Sequence, residues 1–234
     1  MDALLYLFVI IASIGAMIAS ARVNSTFQKF STVLSRRGIT GAQAAYQVLI
    51  ANGVTGVQIA RTPGKLTDHY NPKDQTIYLS DAVYDSTSGA AIGVAAHEAG
   101  HAVQHAEEYL PIKIRTAIVP ITNIGSRLSM PLILLGLFFS AYAGLSYGYE
   151  IALLGVICFS LCVLFQLVTL PTEFNASSRA ISAIENGGIL EGDEIKGAKK
   201  TLRAAAMTYV AALAVSLMQF LRLLALVSGG RRRR

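Results

Sequence analysis

The chain is poor in charge. Only 15% of its 234 residues are Asp, Glu, Lys or Arg, against 53% hydrophobic, and the mean hydropathy is +0.49. That excludes an ordinary soluble domain and fits a small membrane protein. Cysteine is nearly missing. Cys158 and Cys162 fall together inside one apolar run, so no disulfide framework is available and the pair reads as packing residues. No internal repeat and no long disordered linker is present. No basic residue precedes the first apolar run, which argues against a cleaved signal peptide. The net charge of +6 and pI near 9.4 do not point to nucleic acid, because the basic residues cluster beside apolar runs, where they act as topology signals.

Four apolar runs are present. Residues 3–21 are long enough to cross a bilayer, and Arg22, Lys29, Arg36 and Arg37 follow. The positive-inside rule then puts the N-terminus outside and the following chain in the cytoplasm. Pro131 opens a second run reaching about Tyr149, Glu150 marks a turn, and residues 151–170 form the third. Their link has no Lys or Arg, which predicts a membrane hairpin with both ends in the cytoplasm. The fourth run, 204–221, meets Arg222, and four arginines end the chain. Its length predicts a spanning helix with the C-terminus outside; the alternative is a helix lying along the membrane surface or packed beside the others, with the arginines in the cytoplasm. The domains expected are a transmembrane helix over 1–21, a catalytic domain over 22–130, a hairpin over 131–170, a helix over 171–203 and a fourth apolar helix with a basic tail over 204–234.

The polar remainder carries local signals. Val23, Phe27, Phe30 and Leu34 predict an amphipathic helix over 22–37. Thr40 and Gln43 form a capping box for a second helix, whose buried stripe is Ala44, Ala45, Val48 and Leu49, with Asn52-Gly53 at its end. Residues 57–60 and 76–79 read as strands of a small antiparallel sheet, with a turn at Asn71-Pro72-Lys73-Asp74. Ser86, Thr87 or Ser88 caps the next helix, expected to run to about Glu108 before Pro111. After Pro171 a helix from about Thr172 to Asn186 closes at Gly187-Gly188, and a last helix starts near Asp193.

The helix before Pro111 holds His97-Glu98-Ala99-Gly100-His101, an H-E-x-x-H pattern. On a helix both imidazoles face one side and can reach one Zn²⁺. Zinc lowers the pKa of water to about 7, and Glu98 is placed to take the proton. Two solvated histidines would produce the same string. Ala91, Val94, Ala95, Ala99 and Ala102 make the surroundings apolar, however, where unpaired polar groups are costly. A catalytic zinc site needs a third protein ligand. His105 lies roughly 80° around the helix from His97 and two turns along, a poor position. His69 and Glu173 are the other candidates, Glu173 because the hairpin returns the chain to the membrane face it left. The longer H-x-x-G-x-x-H continuation is absent, since Gln104 and Glu107 occupy those places.

The runs Asp68-His69-Tyr70-Asn71-Pro72, Tyr78-Leu79-Ser80, Gly93 to Gln104, and Leu170-Pro171-Thr172-Glu173-Phe174-Asn175-Ala176-Ser177 resemble the YugP-type membrane zinc metallopeptidases, over nearly the whole chain. The resemblance implies a gluzincin-like site with His97, His101 and Glu173 as ligands of one zinc ion. Related proteases carry an aspartate four residues after the glutamate, to hold a zinc histidine. Here Ser177 stands there, and Asn175 or Ser177 is expected to orient a histidine instead. The fold class expected is an α+β integral membrane protein, mainly helical, with about four transmembrane helices and a small zincin-like catalytic domain containing a short antiparallel sheet.

His69 is the first choice for stabilising the oxyanion, with Tyr70, Tyr78 and Arg179 as further candidates. Arg179 either faces the site or pairs with an acid. Ile77 to Leu79 is the strand expected to bind an extended peptide at the sheet edge. The function expected is a membrane-anchored zinc endopeptidase with its catalytic domain at the cytoplasmic face, acting on peptide or protein substrates including membrane proteins, with the bilayer as a partner and no nucleic acid. One alternative is an intramembrane protease of the site-2 type, which the lack of an Asp-Gly pair in the late apolar runs disfavours. The other is a scaffold with structural zinc, which would want four protein ligands and leave Glu98 without a role.

Overall fold

The computed structural model describes residues 2–141 and 147–231. Their order is α1 (Asp2–Phe30), α2 (Gly41–Ala51), β1 (Gln58–Thr62), β2 (His69–Asn71), β3 (Thr76–Ser80), α3 (Gly89–Ala106), α4 (Leu110–Ala141), α5 (Gly148–Asn186) and α6 (Asp193–Arg231). Among the described residues, four helices are long and apolar enough to cross a membrane: Ala3–Phe30, Leu110–Ala141, Gly148–Asn186 and Asp193–Gly229. The α+β membrane fold with a small sheet is therefore as expected.

The long helices are more continuous than the sequence suggested. No glycine or proline lies between residues 21 and 30, so α1 runs unbroken to Phe30. The amphipathic helix expected to reach 37 ends there, and Leu34 instead pairs with Ser88 in an isolated bridge. Pro111 lies beyond the end of α3 at Ala106, as expected. It sits in the first turn of α4, where its missing N–H costs nothing. α4 continues through Pro120 and Pro131, and α5 through Pro171. Each interior proline removes one ladder bond, a cost of roughly 3 kcal/mol in an isolated helix that packing must offset. Glu150 lies in the first turn of α5 rather than in the connection, and residues 142–146 of that connection lie outside the described residues.

The chain divides into two compact units. In the first, drawn from Met1–Ile18, Ile114–Leu170 and Tyr209–Arg234, α4 and α5 approach closely through small residues. A Cβ on Gly155 would lie 2.8 Å from the Ser129 carbonyl, and one on Gly136 would strike the Ala152 backbone. Ile133, Ala152, Val156, Leu223 and Val227 fill the core between these helices and the end of α6. Arg222 lays its guanidinium 4.7 Å from the Tyr6 ring centroid. Cys158 and Cys162 are free and half-buried.

The second unit comprises Ala19–Lys113 and Pro171–Thr208. The Thr40 capping box forms as read, with Gln43 donating and accepting, and the α2 stripe of Ala44, Ala45, Val48 and Leu49 is buried. Ser88 caps α3 by accepting from Ala91 N at 3.2 Å. The sheet has the order β1-β3-β2. β3 pairs with β2 antiparallel and with β1 parallel, so the sheet is mixed rather than wholly antiparallel. Since β3 is central, the peptide-binding edge expected at Ile77 to Leu79 is not an edge. Its backbone groups are taken up on both sides, and β1 and β2 are the free borders.

α3 is the buried axis of this unit. Its small residues let the backbones of other helices close in. A Cβ on Gly89 would lie 2.8 Å from the Glu194 carbonyl, and one on Gly93 3.0 Å from Ala198 Cα, both on α6. A Cβ on Gly100 would lie 2.8 Å from the carbonyl oxygen of Ala176 on α5. Gly100 adjoins His101, and Ala176 lies three residues after Glu173, so this contact sets how near the two helices bring those side chains. Gly100→Ala should force α5 away at a cost of about 1–3 kcal/mol and weaken zinc binding together with stability. A thermal melt and a zinc titration of the full chain check this. An unchanged melt would mean that the contact can relax.

Candidate active site

Turn geometry places His97 and His101 on one side of α3, their ring centroids 4.7 Å apart and the planes at 79°. Continuity of α5 through Pro171 brings Glu173 in opposite them. His97 Nε2 is 3.3 Å and His101 Nε2 is 3.5 Å from Glu173 Oε2. One ligand atom from each of the three lies within 4.8 Å of the others. All three side chains are shielded, Glu173 nearly completely at 3% exposed.

Zinc can be tested against this donor set directly. Two ligand atoms at 2.0–2.1 Å from a tetrahedral ion stand about 3.3–3.4 Å apart. The observed separations from Glu173 match that edge length. The chemistry fits as well. Two imidazoles and a carboxylate converge in a small-residue pocket, and three protein donors leave one position open, as in catalytic zinc sites. Burial pushes the His101 imidazole toward its neutral form. The hydrogen bond to Glu173 and the nearby charges of Glu98 and Glu173 outweigh this and raise its pKa above the ordinary value of 6.5. The pocket thus favours positive charge at the point where the donors meet.

The other ring nitrogens are held. His97 Nδ1 lies 3.1 Å from Ser177 Oγ, and His101 Nδ1 lies 3.0 Å from Gln104 Oε1. Gln104, fully buried, donates its Nε2 to the Thr172 carbonyl at 2.8 Å and to Asn175 Oδ1 at 2.9 Å. Ser177 therefore orients a histidine directly, and Asn175 does so through Gln104. Gln104 was the residue not foreseen. Its signal in the sequence is an amide three residues after His101, on a helix rich in alanine and glycine.

Glu98 is buried beside the cluster at 8% exposed, and its Oε2 accepts the Tyr70 backbone N–H at 3.0 Å. That bond ties α3 to the outer border of β2. His69 is not brought to the cluster. Tyr70 packs on the core, so the neighbouring His69 points to the opposite sheet face. There it stacks on Tyr78 at 5.0 Å and its Nδ1 meets the Thr67 carbonyl. The oxyanion role expected for His69 has no support in this placement, because strand alternation turns the ring away. Arg179 pairs with an acid: its guanidinium meets Glu107 at 2.7 Å and donates from Nε to Asn175 at 2.7 Å. His105 is exposed, its ring centroid 6.1 Å from that of Tyr70, and it is not among the three gathered donors.

The chain is 43% identical over 230 residues to the protein named "Putative membrane protease YugP" of Bacillus subtilis (strain 168), covering 97% of this chain and 99% of that one. No solved structure matches it. The family described as "Putative neutral zinc metallopeptidase" matches residues 5–228, and this membrane protein, with its two histidines and a glutamate gathered around one point, belongs to that family.

Proposed function

We propose that the chain is a membrane-anchored endopeptidase that binds one zinc ion through His97, His101 and Glu173 and uses Glu98 as the general base. The observation that carries this reading is the convergence of three ligand atoms within 4.8 Å of one another, both histidine nitrogens at 3.3–3.5 Å from Glu173 Oε2, with Glu98 adjacent and not among them. Zinc bound there would lower the pKa of water and polarise a substrate carbonyl. The protein's own groups supply the rest. Glu98 receives the proton from the attacking water and can pass it to the leaving amine. Tyr70 N–H holds one carboxylate oxygen, which leaves the other for that transfer.

The substrate is read as an extended peptide paired along a border of the sheet, where main-chain pairing makes recognition weakly sequence-specific. Cleavage of an unfolded protein such as casein by the purified full chain should vanish on chelation and return on adding zinc. Cleavage that persists with no metal left in the protein would overturn the reading.

The topology proposed has four crossings, the N-terminus outside and the catalytic residues at the cytoplasmic face. It rests on the basic residues after the first run and on four helices of spanning length. A cysteine placed after Arg234, in a background lacking Cys158 and Cys162, should react with an impermeant thiol reagent in intact cells. Reaction only after lysis would place that end in the cytoplasm and rule out the fourth crossing. Arg232 to Arg234 lie outside the described residues.

A further inference from the structure

We propose that Gln104 is a positioning residue that locks His101 in the tautomer needed to bind metal, and that its own orientation is set by Arg179 through Asn175. The proposal rests on the zinc-site reading above and concerns residues that coordinate nothing.

Donor and acceptor chemistry fixes each group in turn. The Thr172 carbonyl can only accept, so the Gln104 atom 2.8 Å from it is the amide nitrogen. The Gln104 oxygen is then the atom facing His101 Nδ1 at 3.0 Å, and it too can only accept. His101 Nδ1 must therefore carry a hydrogen, so in the neutral ring the Nε2 lone pair faces Glu173 and the metal position. The far end is fixed in the same way. Arg179 Nε can only donate, so the Asn175 atom at 2.7 Å from it is Oδ1, and that oxygen also accepts from Gln104. Glu107 anchors the guanidinium at 2.7 Å, and the Tyr109 ring lies 5.9 Å beneath it. A half-exposed ion pair is thus connected to a buried histidine through two amides, with Asn175 Oδ1 accepting from Gln104 on one side and Arg179 on the other.

His97 has no equivalent lock. A serine hydroxyl both donates and accepts, so Ser177 suits either tautomer. His101 is the ligand prepared in advance, and partners of this kind are worth about 10–100-fold in metal affinity.

The test uses the full chain, purified in detergent, with zinc affinity measured by competition against a chromophoric chelator. Histidine-selective ¹⁵N spectra of the metal-free protein, taken at alkaline pH, report the tautomers. Gln104→Met keeps the length of the side chain and removes both amide ends. It should weaken zinc binding by about 10–100-fold and replace the single His101 Nδ1–H signal by a mixture. Ser177→Ala should cost less. Arg179→Met should lower affinity in the same direction, and Arg179→Lys, still donor-only, should restore part of it. Zinc affinity within two-fold of wild type in Gln104→Met, with the His101 signal unchanged, would overturn the proposal. If Gln104→Met does not fold, the Arg179 pair decides. Met and Lys variants that both bind zinc as wild type does, with unaltered spectra, overturn it equally. Neither readout involves cleavage. A chain that behaves as described yet cleaves nothing removes the peptidase reading and leaves this one standing.

Discussion

Glu98→Gln is expected to retain its zinc and lose proteolysis by about 10²–10⁴-fold, the range for removing a general base. Glu98 belongs to α3 with both histidines, but its carboxylate is not among the three convergent donors. It is held from the side by the Tyr70 N–H at 3.0 Å. A glutamine oxygen can accept that same hydrogen bond, and the side chain keeps its volume in a position only 8% exposed. The fold and the metal should therefore survive while the proton acceptor disappears. Zinc content by elemental analysis, set beside casein cleavage and a thermal melt, separates the effects. Zinc lost together with activity would show that Glu98 supports the metal, and its assignment as base would fail.

Glu173→Ala is expected to weaken zinc binding by more than the roughly 100-fold at the upper end for outer partners, because a donor itself is removed. Only two imidazoles would remain, and a catalytic site needs three protein ligands. Glu173 is 2% exposed, so truncation also leaves a hole beside both histidines. Glu173→Gln guards against misreading a folding defect. It fills the same space but presents a neutral, weaker donor, and it should also bind poorly. His105→Ala is the comparison: its ring is exposed, packs at the edge of Tyr70 and should leave zinc affinity unchanged. Wild-type affinity in both Glu173 variants, or a large loss in His105→Ala, would mean that the ligand set is wrong.

Much of the local structure was legible without coordinates. The Thr40 box, the α2 stripe and the Ser88 cap all depend on residues within one or two turns of each other, and all formed as read. The errors follow from the same rule. Pro171 reads as a helix boundary because proline weakens an isolated helix, and α3 does end before Pro111, at Ala106. In the protein, however, α5 passes through Pro171, since tertiary packing offsets a single lost bond. Glu173 accordingly lies in mid-helix, not in a first turn. The peptide-binding edge was misplaced for a related reason. A strand's composition shows that it pairs but not how many neighbours it has, and β3 has two.

The sequence by itself determined the membrane class, the helix bearing His97, Glu98 and His101 on one side, and the short list from which a third ligand had to come. These are consequences of composition and of the 3.6-residue repeat, which act over a few residues. Only the tertiary structure decided what faces that helix. Gln104 meets Thr172 across 68 residues of chain, and His97 meets Ser177 across 80. His69, promising by type, is turned outward by strand alternation. Arg179, promising as a cation near the site, is drawn to Glu107 and Asn175. Such pairings depend on how closely two backbones approach, here where Gly100 meets Ala176, and no local rule of sequence encodes that distance.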